Sequence, residues 1–283
     1  MAVSRVLVTG AAGRIGRAVL DALAADGIPA NALVLDDPGD LRAEAVFTGS
    51  AADPSTVRAA LRGVDGVVHL AALVTPEHGT SLEVFGGNVL ATFVVLDEAG
   101  RAGVPRAVIA SSLSIIGLPF ARQLLHPAYL PIDVAMPGQV EDPYALSKQT
   151  DELTAAMMAR RYGIDVVCLR YPFVGGLDER LPDFAALVAE QLEIGARDMW
   201  SYLETRDAAR AALLALRADT TGLQVVYVAA PRTLVPHPTA ELLDRFHPDV
   251  PRRRPLPGRT VPIDLAPARE LLGFTARFEL DLD

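Results

Sequence analysis

Short apolar runs alternate along the first two-thirds of the chain with longer stretches in which apolar residues recur every three or four positions. The runs fall at Val3–Thr9, Ala32–Leu35, Ala45–Phe47, Gly66–Leu70, Ala107–Ala110 and Ile164–Leu169, and each predicts a strand. The stretches Arg14–Ala25, 53–62, Ser81–Ala102 and Tyr144–Tyr162 predict helices. Ile15, Val19, Leu20 and Leu23 share one face of the first. Leu82, Phe85, Val89, Phe93 and Leu96 form the stripe of the third, and Leu146, Leu153 and Met157 that of the fourth. Asp53-Pro54 has the form of an N-cap followed by proline at the first helical position. Strands of this kind separated by helices predict an α/β fold, a doubly wound parallel sheet covered on both faces.

The rhythm breaks after Leu118. Prolines at 119, 127, 131, 137 and 143, with Gly138, leave no regular element. A long irregular loop inside such a fold predicts a wall of the substrate pocket, or a lid over it. Beyond Pro172 the pattern is less regular: helices over Leu181–Ile194, Asp207–Leu216, Thr239–Phe246 and Ala266–Leu271, and a strand over Gln224–Val228. The expected division is a core over 1–175 and a small substrate-binding lobe over most of 176–283, with residues of about 206–230 returning to the core. Asp207 reads as an N-cap, and Trp200-Ser201-Tyr202 suits either a pocket wall or the core.

Composition removes several classes of function. The chain has 283 residues, about half of them apolar, and a net charge of −9. An acidic balance disfavours nucleic acid and membrane surfaces as partners. Arg252-Arg253-Arg254 lies among prolines and reads as a solvated loop or an anion contact. The single cysteine, Cys168, sits in an apolar run and reads as a buried, inert thiol. No apolar stretch is long enough to cross a membrane, so a cytoplasmic location is expected. Histidines 69, 78, 126, 237 and 247 show no metal-ligand spacing, and no metal is expected.

The first run ends in Thr9-Gly10-Ala11-Ala12-Gly13-Arg14-Ile15-Gly16 and passes directly into a helix. A strand that turns sharply into a helix presents bare N–H groups at the positive helix end, a phosphate site. Gly10 permits the turn, Gly13 lets the backbone approach a ligand, and Gly16 lets helix and strand pack closely. Asp36 follows Gly16 by twenty residues, the range at which a carboxylate meets an adenosine ribose and repels a 2′-phosphate. This Rossmann-type arrangement favours NAD over NADP, although Asp36-Asp37 also suits the start of a turn. Ser111-Ser112 ends the fifth run, at the sheet edge where ligands bind. In Tyr144-Ala145-Leu146-Ser147-Lys148, tyrosine and lysine leave the same helix face one turn apart. An ammonium beside a phenol favours the phenolate, which can exchange a proton with a hydroxyl or carbonyl.

Together these residues resemble the extended short-chain dehydrogenase/reductase superfamily, in its NAD-dependent epimerase/dehydratase family. The matching positions are Thr9 to Gly16, Asp36, His69-Leu70-Ala71-Ala72, Asn88, Ser111-Ser112 through Gly117, Tyr144 to Lys148, and Leu169-Arg170-Tyr171-Pro172. The resemblance implies Ser112, Tyr144 and Lys148 as catalytic residues: Ser112 positions the substrate oxygen, Tyr144 is the acid/base, and Lys148 its electrostatic partner. It further implies NAD held by Gly10, Ala12, Gly13, Arg14, Ile15, Gly16, Asp36, Asp53, Leu70, Ala71, Ala72, Asn88, Ser111, Tyr144, Lys148, Tyr171 and Pro172. Asn88 has a structural alternative. Ser112, Ser114, Tyr144 and Phe173 would face the substrate.

The departures narrow the reaction. Family dehydratases carry an acidic pair after the serine, where this chain has Leu113 and Ser114, so a 4,6-dehydratase is not expected. Phe173 stands where nucleotide-sugar epimerases commonly have asparagine, Ile116 where a tyrosine is common, and Ser50 where an adenine-contacting aspartate is often found, with Asp53 close by. The expectation is an NAD-dependent oxidoreductase acting on a small-molecule hydroxyl or carbonyl of a sugar, sugar acid or similar polyol. An epimerase with retained NAD and a dinucleotide-sensing regulatory protein are the alternatives. The resemblance also implies a homodimer through the helices at 81–102 and 144–162; alternatively, both apolar faces bury against their own sheet.

Overall fold

The apolar runs become strands because a parallel sheet buries both of its faces. The computed structural model describes residues 3–282. Its strands are β1 (Val6–Thr9), β2 (Ala30–Val34), β3 (Ala45–Thr48), β4 (Gly66–His69), β5 (Arg106–Ser112), β6 (Asp165–Tyr171), β7 (Phe173–Gly175), β8 (Tyr202–Glu204) and β9 (Leu223–Tyr227). Its helices are α1 (Arg14–Ala25), α2 (Pro54–Ala60), α3 (Ser81–Arg101), α4 (Pro143–Tyr162), α5 (Leu181–Glu190), α6 (Leu192–Ala196), α7 (Thr205–Arg217), α8 (Thr239–Phe246) and α9 (Ala266–Leu272). Seven strands form one parallel sheet in the order β3-β2-β1-β4-β5-β6-β9, and β7 and β8 pair separately. The order reverses between β1 and β4, which opens a crevice at their carboxyl ends.

Alternation along β1 sets the two layers. Val6 and Val8 pack with Val19, Leu20 and Leu23 of α1 and with α7, while Leu7 packs with Val57 of α2 and Val95 and Leu96 of α3. β9 joins the main sheet beside β6, and α7 packs against α1.

The apolar stripes of the two long helices do not bury against their own sheet. Leu82 and Phe93 of α3 are 79% and 42% exposed, and Leu146 and Leu153 of α4 are 45% and 71% exposed. The inward face of α4 is largely polar, carrying Tyr144, Ser147, Lys148, Asp151 and Glu152. Of the predicted α3 stripe only Leu96 is fully buried. Polar residues point inward because each finds a partner there. Glu152 takes both nitrogens of Arg170 at 2.9 and 2.8 Å and the Ser111 hydroxyl at 2.5 Å. Ends are set as the sequence indicates, by Asp142 capping α4 through Ala145 N–H and by the Thr80–Glu83 capping box of α3.

The predicted helix over 181–194 is broken at Gln191 into α5 and α6, and the short pair β7 and β8 carried too little pattern to be foreseen. The irregular loop is no free lid. Leu130 and Ile132 are fully buried and exchange backbone hydrogen bonds with Pro251, Arg253, Pro262 and Asp264. Arg252, Arg253 and Arg254 each pair with an aspartate, Asp244, Asp133 and Asp264. Glu204 caps α7 in place of Asp207, whose buried carboxylate instead receives the N–H groups of Arg277 and Phe278. Trp200 and Tyr202 are core. Among the described residues no helix is long and apolar enough to cross a membrane, and no group of three His, Cys, Asp or Glu could hold a metal ion.

Candidate active site

A cleft of about 1010 Å³ runs along the carboxyl edge of the sheet, from the glycine turn to α6. Gly10 turns with φ +63°, and a Cβ there would lie 2.7 Å from Ala71 N, so only glycine lets the turn pass the end of β4. A Cβ on Gly16 would overlap the Gly10 carbonyl. Gly13 is the N-cap of α1 and no side chain caps that helix, so its first N–H groups are open toward the cleft beside Ala12 and Ile15. A bare helix end in a cradle that any Cβ would fill fits a dinucleotide pyrophosphate. Leu33–Leu35 and Gly49–Ala51 bound the far end, suited to an adenosine.

The structure places three predicted cofactor residues differently from their expected roles. Arg14 lines the cleft and donates to Glu179 through two bonds of 2.7 and 2.6 Å, which raise its affinity for its proton. Asp53 is outside the cleft lining: it is the N-cap of α2, and its carboxylate accepts from Ser55 and Thr56, whose hydrogen bonds hold it down at about 2. That capping role, not a cofactor contact, uses both of its oxygens. Asp36 is exposed just beyond Leu35 and is not among the residues that line the cleft.

Leu70, Ala71 and Ala72 line the middle of the cleft. Behind them, Thr9 Oγ1 accepts from the N–H groups of Leu70 and Ala71 and meets His69 Nδ1 at 2.7 Å, while His69 Nε2 meets Thr92 Oγ1 at 3.1 Å. Burial, aided by the Lys148 charge, pushes His69 down to about 3, so it packs as a neutral ring. Asn88 touches the cleft, but its amide is spent on the Leu73 backbone (2.8 and 3.0 Å) and on Ser147 Oγ. It ties the Leu73 segment to α4. Tyr171 and Pro172 also line the cleft, and the Tyr171 hydroxyl turns away to Ala208 O. Cys168 is fully buried, and burial pushes its thiol well up.

Ser111 and Ser112 end β5, Tyr144 and Lys148 project from the first turns of α4, and all four meet at the centre of the cleft. The Ser112 hydroxyl accepts from Ser114 N–H at 3.1 Å and from Ser114 Oγ at 2.9 Å. Its own proton remains free for an oxygen in the cleft. Lys148 Nζ lies 5.8 Å from the Tyr144 ring centre and donates to Ala110 O at 3.0 Å and to Asp151 Oδ2 at 3.2 Å. Burial pulls Lys148 down, but Asp151 and then Tyr144 outweigh it and hold the ammonium above its usual range. Lys148 is also the one lysine of the chain, the other 25 basic residues all being arginine. That compositional signal alone singles it out.

Sequence reasoning missed most of the substrate end. Phe173 stacks on Phe184 of α5 with ring centres 3.9 Å apart, and Arg180 lies 4.3 Å from the Phe173 ring centre. Phe120 meets Tyr144 edge-on, and Ile194, Arg197 and Asp198 close the wall. Burial pushes Asp198 up to about 8. Phe173 was expected to face the substrate; Phe120, Arg180, Phe184, Ile194, Arg197 and Asp198 come from segments with no motif, and only their convergence in space reveals them.

An open helix end at a glycine turn, with serine, tyrosine and lysine at the sheet edge, defines the extended short-chain dehydrogenase/reductase class. The chain belongs to the NAD dependent epimerase/dehydratase family, whose model matches residues 6–230. It is 34% identical to the uronate dehydrogenase of Pseudomonas putida over 172 residues, 59% of this chain and 60% of that protein. It is 32% identical to the UDP-glucose 4-epimerase of Azospirillum brasilense over 184 residues, 62% of this chain and 50% of that protein. Both matches therefore span less than two-thirds of the relative. The structure of MoeE5 in complex with UDP-glucose and NAD superposes with a TM-score of 0.70 at 26% identity, covering 98% of this chain and 94% of MoeE5.

The neutral His69 has a consequence for stability. The unfolded chain takes a proton at His69 below about 6.5, the folded one only near 3, so acid favours unfolding between those values. Relative to His69→Gln, the wild type should lose about 1.4 kcal/mol of unfolding free energy per pH unit from pH 6 to pH 4. Urea titrations at several pH values read this difference, and a flat one contradicts it.

Proposed function

We propose that the chain is an NAD-dependent oxidoreductase acting on a hydroxyl or carbonyl of a sugar, sugar acid or similar polyol. The observation that carries this reading is the meeting of Ser112, Tyr144 and Lys148 midway between the open α1 end and the wall formed by Phe173, Phe184 and Asp198. Similarity to a uronate dehydrogenase supports a sugar acid. So does Arg180, which has a ring contact but no carboxylate partner among the described residues.

In oxidation, Tyr144 takes the hydroxyl proton of the substrate as a phenolate, whose charge the neighbouring Lys148 ammonium favours beforehand, and becomes neutral. Ser112 donates its free proton to the same substrate oxygen and fixes its position. Asp198, which burial pushes up to about 8, keeps a buried Oδ1 without a partner on the same wall and offers it to a second hydroxyl. The nicotinamide, when bound, supplies the hydride acceptor or donor. Gly10, Gly13 and the α1 end hold its pyrophosphate; Asp36 does not line the cleft but follows Leu35 directly at its adenosine end, and the choice of NAD is assigned to it on that position. Nearby Arg17 is engaged by three backbone carbonyls and does not offer itself to a 2′-phosphate.

The second reading, an epimerase with retained NAD, is supported by the similarity to a UDP-glucose 4-epimerase. A panel of sugars and sugar acids followed at the nicotinamide absorbance separates the two. Stoichiometric NADH supports the oxidoreductase, and epimerised product without net NADH supports the other. Tyr144→Phe should lower turnover by at least about 100-fold, and unchanged turnover would remove the acid/base role. A larger thermal shift with NADP than with NAD would sink the assignment of Asp36.

The outward apolar faces of α3 and α4 support a homodimer built as a four-helix interface, since Leu82, Phe93, Leu146 and Leu153 stand exposed on neighbouring helices. Sedimentation should give a dimer for the wild type and a monomer for Leu153→Glu; a monomeric wild type at micromolar concentration would contradict this.

A further inference from the structure

We propose that Asp151 is a positioning residue for the acid/base pair, holding the Lys148 ammonium charged and in place where water does not reach. The inference rests on the reading of Tyr144 and Lys148 given above. Asp151 lies one turn beyond Lys148 on α4, is 1% exposed, and sets Oδ2 3.2 Å from Lys148 Nζ. Its second oxygen, Oδ1, is buried with no hydrogen bond.

That pattern differs from the chain's structural carboxylates. Asp53, Asp65 and Asp207 use both oxygens to bind backbone N–H groups or side chains. Asp151 binds no backbone at all. Its one charged partner is the lysine, with the Thr92 hydroxyl of α3 alongside.

The other groups facing Lys148 supply no net negative charge. His69 of β4 is neutral, and the Cys168 thiol of β6 stays protonated. Glu152, next on α4, is consumed by Arg170 of β6. Thr92 of α3 and Ala110 O of β5 carry no charge, and Tyr144 is the group Lys148 serves. Asp151 is therefore the counter-charge that an ammonium in so dry a place requires.

Because the chain has one lysine, isotope-labelled lysine gives a single Nζ resonance that reports Lys148 directly. In the wild type that resonance should stay protonated beyond the usual lysine value of 10.5. In Asp151→Asn its titration should fall by at least about one pH unit, and Asp151→Glu should restore it. An unchanged or higher midpoint in Asp151→Asn overturns the proposal, and if that variant does not fold, Asp151→Ser carries the same measurement. The titration needs no substrate. If Tyr144→Phe keeps full turnover, the acid/base reading fails while the Lys148 titration still decides the role of Asp151 in holding the charge.

Discussion

Glu152 and Arg170 meet through two parallel N–H···O bonds in the interior, between α4 and β6. A buried ion pair of this kind destabilises a fold unless its remaining donors and acceptors are also satisfied. Here they are: Ser111 donates to Glu152, and Arg170 donates further to the Tyr227 hydroxyl and Val134 O. The pair thereby joins α4, β5, β6, β9 and the irregular loop at one point. Tyr144 and Lys148 sit on the same face of α4, so their placement against Ser112 follows from this junction. With α4 turned a third of a turn away, the apolar residues would bury and Tyr144 and Lys148 would face solvent.

The orientation of α4 marks where sequence reading succeeds and where it stops. The sheet was legible because β1, β2, β4 and β6 are buried on both faces and so appear as nearly continuous apolar runs. The glycine turn was legible because its spacing reflects backbone contacts that Gly10 and Gly16 alone permit. At α3 and α4 the apolar stripe was legible but not what it faces, since it turns outward while Lys148, Asp151 and Glu152 pair inside. Asp53 held two readings, cap and cofactor contact, and the local hydrogen bonds to Ser55 and Thr56 win because they are formed within the chain itself. Phe120, Arg180, Phe184 and Asp198 were illegible for a different reason. They lie on separate segments whose relation depends on how the loop over 118–142 is stitched to the C-terminal residues.

Two parts of the cleft thus have different origins. The cofactor side is built from main-chain geometry, a turn and an open helix end, and tolerates little change. The substrate side is built from side chains, with an aromatic stack at Phe173 in the position where nucleotide-sugar epimerases commonly carry asparagine. Such a wall suits a compact polar substrate with a charge for Arg180 and hydroxyls for Ser112 and Asp198. The lone lysine joins the two halves, reaching from α4 to the carbonyl end of β5 with Asp151 beside it.

The central claim is that a substrate carbon whose hydroxyl gives its proton to Tyr144 would pass its own hydrogen, as hydride, to the nicotinamide. It is tested most directly with the sugar or sugar acid that the panel finds turned over, deuterated at its hydroxyl-bearing carbons and incubated with NAD and the protein. The account predicts NADH that carries the deuterium, formed in proportion to the oxidised product. Unlabelled NADH, or deuterium that never leaves the sugar, would contradict it.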